Sequence, residues 1–170
     1  MGEAYSLCVS PFYYTDLVRE SHHRYKFQGA SWHSSVYAGF VAQCVAERYG
    51  NHFDLITWVP LSKRRLRTRG YDQAKLLAVD TAAKLGTEAI PTLKKVKNTS
   101  AQSSLGGSEE RRANIAGAYA VLENAPVSGK CILLVDDIVT TGSSLRECAH
   151  CLLSAGAEEV LCATLARSPV

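Results

Sequence analysis

An α/β fold, with an open and mostly parallel sheet flanked by helices and a small N-terminal hood, is predicted by three observations. Helical and strand patterns alternate along the 170 residues. The run Cys131-Ile132-Leu133-Leu134-Val135 is apolar without alternation, as a strand buried on both faces is. Two polar clusters, Lys63 to Arg69 and Asp136 to Ser144, each follow an apolar strand pattern. That places both at the carboxyl end of the sheet, where open α/β folds bind ligands.

In chain order, Asp16 to Lys26 has the pattern of a helix capped near Thr15. Ser31 to Tyr49 is a longer helix with Val36, Phe40, Val41, Cys44 and Val45 at helical spacing, ended by Gly50-Asn51. These first fifty residues hold six of the eight tyrosines, Trp32 and the run His22-His23-Arg24-Tyr25-Lys26, which describes an aromatic, basic lobe. His22-His23 is expected to be solvated on its helix. Residues 53–59 form the first core strand, ended by Pro60. A basic loop runs to Gly70, and a helix from Tyr71 to Leu85 stops at Gly86. A strand near 90–97 precedes a polar stretch from Asn98 to Asn114 with Gly106-Gly107 at its centre, long enough to be suspected of function. Strands near 116–122, at 131–135 and at 159–165, with a helix at 142–155, complete the pattern. One domain covers residues 1–170, with a hood at 1–50, an α/β core at 51–170 and a mobile loop at 98–114.

Composition narrows the function classes. A 46% hydrophobic share is ordinary for a soluble protein, and the net charge of +3 is too small to demand nucleic acid. No apolar stretch is long enough to span a bilayer and the N-terminus lacks a signal-peptide pattern, so no membrane and a cytoplasmic location are expected. The six cysteines (8, 44, 131, 148, 151 and 162) sit mostly in apolar segments, as reduced core residues do. Cys148 and Cys151 have C-x-x-C spacing but no second pair, and they share a helical face with Leu145 and Leu152, so packing is expected rather than zinc. The five histidines form no metal-ligand spacing. There is no Gly-x-Gly-x-x-Gly, and Gly129-Lys130 is followed by Cys131, which excludes a dinucleotide fold and a P-loop.

The chemistry concentrates after residue 135. Asp136 and Asp137 end the apolar run, and Thr140, Thr141, Gly142, Ser143 and Ser144 form a hydroxyl-rich turn opening a helix. Such a turn points backbone N–H groups and hydroxyls at a phosphate near the helix N-terminus, with Gly142 letting the backbone approach closely. Lys63, Arg64, Arg65, Arg67 and Arg69, five cations in seven residues, call for a polyanion. Their position, facing the same crevice as that turn, favours an anionic ligand shared with it over a nucleic-acid patch.

The stretch 131–144 closely resembles the 5-phosphoribosyl pyrophosphate (PRPP) signature of the type I phosphoribosyltransferases. That resemblance implies that Asp136 and Asp137 hold the ribose hydroxyls and are the catalytic acids, and that Thr140 to Ser144 wrap the 5′-phosphate. Arg67, Arg69 and Lys63 are expected at the pyrophosphate. Arg67-Thr68-Arg69-Gly70-Tyr71-Asp72-Gln73-Ala74 is similar to an element of the competence-protein-F-like (ComF-like) branch, with Asp72 where that branch has Asn. Gln102, Leu105, Arg111, Asn114 and Gly117-Ala118-Tyr119 match its mobile loop and the strand after it, so Gln102, Arg111, Arg112 and Asn114 are expected to close over ligand. Lys26-Phe27-Gln28-Gly29 matches a hood element. The resemblance is to a member without the cysteine-rich zinc segment that many of the branch carry ahead of the hood.

The implied reaction displaces pyrophosphate from C1 of PRPP by a nucleobase or amine, through a ribose with oxocarbenium character. Mg²⁺ is expected on ligand oxygens and water rather than on protein ligands. The partners implied are PRPP and a small-molecule acceptor; a homodimer is allowed, and nucleic acid is allowed but disfavoured. A non-catalytic PRPP- or nucleotide-binding regulator, or a DNA-uptake accessory protein, would keep the same acids; the two readings separate on turnover.

Overall fold

Strand β6, Cys131–Val139, is the centre of the molecule. It pairs in parallel with β3, Leu55–Trp58, on one side and with β7, Glu159–Arg167, on the other. The computed structural model that gives this architecture describes residues 4–27, 32–97 and 115–169. Two short N-terminal strands, β1 (Cys8–Val9) and β2 (Phe12–Tyr13), both pair in parallel with β7 and complete a five-stranded sheet. Nothing in the sequence predicts a strand here, because two-residue strands carry no periodicity; their pairing comes from the free edge of β7.

Alternate residues of each strand enter different cores. Ile132, Leu134, Val160 and Cys162 pack on one face, with Leu145, Cys148, Ala149 and Leu152 of helix α5 (Ser143–Ser154). Leu133, Val135, Leu161, Ala163 and Leu165 pack on the other, against α2 (His33–Tyr49) and α4 (Gln73–Lys84). Burial on both faces is what an unbroken apolar run requires. The buried side of α2 is formed by Ser34, Ala38, Val41, Ala42 and Val45. Val36 and Phe40, expected in the core, are 54% and 45% exposed, because the helix phase follows the small residues that approach α4.

Two further expectations are corrected. Only the start of the segment near 90–97 touches the parallel sheet, through one bridge from Ala89 to Ile56; β4 (Leu93–Lys95) and β5 (Tyr119–Val121) form a separate antiparallel pair on the α5 face. Antiparallel neighbours need no helical crossover. The basic segment is a helix rather than a loop. α3, Lys63–Arg69, starts at Ser62, whose hydroxyl accepts the Arg65 N–H at 3.3 Å, and stops at Gly70 in a left-handed conformation (φ 81°) that a side chain would resist. Helix α1, Asp16–Phe27, lies over this end of the molecule. Its buried Tyr25 donates to the Gln73 carbonyl at 2.9 Å, and Tyr71 donates to the Tyr25 carbonyl. No described helix is long and apolar enough to cross a membrane.

Candidate functional site

A cleft of ≈ 330 Å³ opens at the carboxyl end of β6, between α1, α3, the start of α4, the β4–β5 pair and the turn into α5. Asp136, Asp137, Thr140, Gly142, Ser143, Ser144 and Arg69 line it. The strand continues through the acids to Val139, with Asp136 paired to Thr164 and Ile138 to Ala166, so Asp137 is held between paired residues rather than on a free loop. Thr141 lies just behind, its hydroxyl 2.8 Å from that of Ser143 and its carbonyl accepting from the Arg146 guanidinium. The turn is thereby braced from the protein side.

The two acids are in unlike electrostatic states. Burial and the adjacent Asp137 charge raise the Asp136 carboxyl well above the usual range, while its Oδ1 accepts the Asp137 N–H at 2.8 Å. Burial alone would also raise Asp137. Lys26, whose Nζ is 2.7 Å from Oδ2, and His22, whose Nε2 is 3.2 Å away, reverse that and hold Asp137 well below the usual range. His22 is itself pushed down by burial against the pull of Asp137, so a neutral imidazole donates its N–H to an anion. His22 and Lys26 are four residues apart and share one helical face. The expectation that His22 is solvated is therefore corrected: it is 1% exposed and tied to the acid pair. Nothing local in the sequence reveals this contact, since it joins residues more than a hundred positions apart.

The helical phase of α3 sorts the basic cluster. Arg65 and Arg69, one turn apart, face the cleft; Lys63 and Arg67 are exposed on the other side and do not line it. Arg69 donates to Gln73 Oε1 at 3.0 Å. Gln73 lines the cleft and is 1% exposed, and its Nε2 has no partner among the described residues. That buried donor is the kind of group a ligand satisfies. Asp72 caps α4, taking the Lys75 N–H on Oδ1 at 3.1 Å and the Leu61 N–H on Oδ2 at 2.9 Å. A carboxylate meets both donors, whereas an amide has one acceptor oxygen.

Two residues missed by sequence reasoning close the wall opposite. Lys95 lies with its Nζ 3.2 Å from the Tyr119 hydroxyl and 4.9 Å from its ring centre. Burial, aided by Arg65, pushes its ammonium down to about 8. The cleft thus has four cationic side chains, Lys26, Arg65, Arg69 and Lys95, against three carboxyls, one of which, Asp136, is raised well above the usual range. The balance suits an anion. Helix α5 begins at Gly142 without a side-chain cap, unlike α3 and α4, so its first-turn N–H groups add to that field. Gln102, Arg111, Arg112 and Asn114 lie outside the described residues.

Comparison with known proteins places the fold and the family. The phosphoribosyl transferase domain family matches residues 70–170. Competence protein F of Haemophilus influenzae is 32% identical over 151 residues, 85% of this chain and 66% of that protein. Competence protein ComFC of Bacillus subtilis is 29% identical over 160 residues, covering 94% and 63%. DNA utilization protein YhgH of Escherichia coli K12 is 36% identical over 120 residues, covering 66% and 50%. The chain spans about half to two thirds of the length of these relatives. Among solved structures, an allosteric regulatory enzyme of purine biosynthesis superposes with a TM-score of 0.51 at 21% identity, over 78% of this chain and 25% of that one. Glutamine PRPP amidotransferase from B. subtilis gives 0.50 at 21%, over 78% and 26%. These two share the fold. The fold is that of a type I phosphoribosyltransferase. Within that class, the chain belongs to the ComF-like branch of the phosphoribosyltransferase family.

Proposed function

We propose that residues 1–170 work as one unit that binds PRPP in this cleft and transfers its phosphoribosyl group to a nucleobase or amine. The observation that supports it most is the convergence of the acid pair, the uncapped hydroxyl turn and the inner arginines of α3 on one cleft. The ribose lies against Asp136 and Asp137, the 5′-phosphate on the turn from Thr140 to Ser144, and the pyrophosphate toward Arg69 and Arg65. Lys63 and Arg67 then act at longer range, by raising the potential of the approach. Asp137, held low by Lys26 and His22, offsets positive charge developing on the ribose, and Asp136, raised by burial and the Asp137 charge, hydrogen-bonds a ribose hydroxyl.

Mg²⁺ fits this arrangement only as a companion of the ligand. The Asp137 oxygen nearest the cations is already shared by Lys26 and His22, and no group of three metal-ligating side chains lies in the cleft among the described residues. Brought in with the ligand rather than held by described side chains, the ion would supply charge neutralisation to the leaving group.

A second reading, a PRPP-binding component of DNA uptake or utilisation without turnover, is favoured by the names of the relatives. One experiment separates them. Purified protein is incubated with PRPP, Mg²⁺ and a panel of purines, pyrimidines and amines, and pyrophosphate is measured. Release with one acceptor, abolished by Asp136→Asn with Asp137→Asn, is the expected result. PRPP binding without release across the panel would favour the second reading, and no PRPP binding would defeat both.

A further inference from the structure

At the other end of β6, three side chains from distant parts of the chain converge. Cys131 opens β6, Glu159 opens β7 as its registered partner, and His52 lies just before β3. Their ligand atoms all lie within 4.8 Å of one another, with Cys131 Sγ 3.6 Å from Glu159 Oε2 and His52 Nε2 3.7 Å from the same oxygen. Among the described residues no other group of three His, Cys, Asp or Glu side chains comes so close. We propose that His52, Cys131 and Glu159 bind a thiophilic divalent cation of the Zn²⁺ class at the amino edge of the sheet.

The separations suit that ion. Zn–S bonds of about 2.3 Å and Zn–N or Zn–O bonds of about 2.0 Å, set tetrahedrally, place ligand atoms roughly 3.3–3.6 Å apart. The two contacts to Glu159 are within a few tenths of an ångström of that spacing, and the widest separation, within 4.8 Å, closes by roughly 1 Å as His52 moves in. Two of the three ligands are already rigid. Cys131 is clamped by its own N–H to Asp54 Oδ2 at 2.8 Å and by the Asp54 N–H to its carbonyl at 2.8 Å, and Glu159 is fixed by the β6–β7 ladder. His52, with a side chain 78% exposed, is free to swing the remaining distance, and its exposure leaves a fourth position for water.

Thiolate, imidazole and carboxylate together select zinc over magnesium or calcium. The local field agrees: Asp54, Glu158 and Glu159 surround the thiol, with Lys130 3.9 Å from Asp54 as the nearby cation. Binding is balanced simply. The Sγ–H proton, now directed at the His52 carbonyl 3.0 Å away, leaves to solvent as the metal–sulfur bond forms, and the cation takes its place between sulfur and carboxylate. The site lies about 20 Å along the strand from Asp137, too far to take part in chemistry at the cleft. Its consequence is mechanical: one ion ties the starts of β6 and β7 to the segment feeding β3.

The test uses the full chain after chelator treatment, titrated with Zn²⁺ and separately with Co²⁺. The expected result is one ion per chain, a thiolate-to-cobalt charge-transfer band, and a rise in Tm of at least about 3 °C with Zn²⁺. Cys131→Ser and His52→Ala should each remove the band and the Tm shift, and Glu159→Gln should weaken binding about tenfold or more. His52→Ala, an exposed position, guards against a Cys131 variant that fails to fold. PRPP affinity should be unchanged in His52→Ala. A band that survives His52→Ala would place the metal at other cysteines and overturn the assignment, as would the absence of a band in the parent at millimolar Co²⁺.

Discussion

The two ends of β6 are built from the same kinds of residue and have opposite character. At the carboxyl end, two adjacent carboxyls sit among Lys26, Arg65, Arg69 and Lys95, so one acid is held low, the other is pushed up, and the cleft suits an anionic ligand. At the amino end, Cys131 sits among Asp54, Glu158 and Glu159 and the surroundings favour a cation. Between them, Ile132 to Val135 are fully buried on both faces and fold the protein without taking part in either site. The contrast teaches that charge at a strand end acquires meaning from what packs over it. Carboxylates alone specify neither ligand.

The strongest way to break this contrast is to neutralise the acids. Asp136→Asn with Asp137→Asn should weaken PRPP at least about 100-fold in calorimetry, each lost charged hydrogen bond removing roughly 1.5–3 kcal/mol. Equal weakening by Glu159→Gln would mean that the two ends are not independent.

Next comes the division of α3. Arg65→Ala with Arg69→Ala should lower affinity for PRPP and pyrophosphate by about 10- to 100-fold, and for ribose 5-phosphate much less. Lys63→Ala with Arg67→Ala should change all three by under about threefold, as exposed charges do. If the outer pair proves the more damaging, the ligand docks on the far side of the helix.

Gly142 tests the turn. It has φ 70°, and a Cβ there would lie 3.0 Å from the Tyr5 hydroxyl and 3.1 Å from the Arg146 guanidinium. Gly142→Ala should destabilise the protein by about 1–3 kcal/mol in urea melts and weaken PRPP in parallel. An unchanged midpoint would show that the turn rearranges freely.

The smallest effects are in pH dependence, where the acids should act with opposite sign. Asp137 is lowered in the folded state, so its stabilisation is present above the unfolded carboxyl value and is lost as pH falls through the folded one. Asp136 is raised, so it destabilises increasingly as pH rises from the unfolded value through the folded one. Asp137→Asn should therefore cost about 1–3 kcal/mol at pH 7 and nearly as much at pH 4, the cost fading only at lower pH, whereas Asp136→Asn should stabilise the free protein by about 1 kcal/mol at pH 7 and little at pH 4. Thermal melts of the single variants at the two pH values check this, and shifts of the same sign would refute the unequal pair.

What could be read from the chain was whatever is contiguous along it. The apolar run of β6, the acids after it, the hydroxyl turn and the helix that follows are consecutive residues whose types and order already imply strand, turn and helix. The fold class followed from the same local alternation. Arg65 could not be told from Arg67 without knowing that residues 63–69 are a helix, because a loop has no inside and outside face. His22 and Lys26 were legible as neighbours on one helix, yet their meaning depends on Asp137, which only the docking of α1 brings near. Lys95 and Tyr119 needed the antiparallel pairing of β4 with β5, and His52, Cys131 and Glu159 needed the parallel register of β6 with β7. Local propensity is a property of neighbours in sequence, whereas charge state and ligand geometry are set at distances of a few ångströms in space, and the chain brings those partners together only by folding.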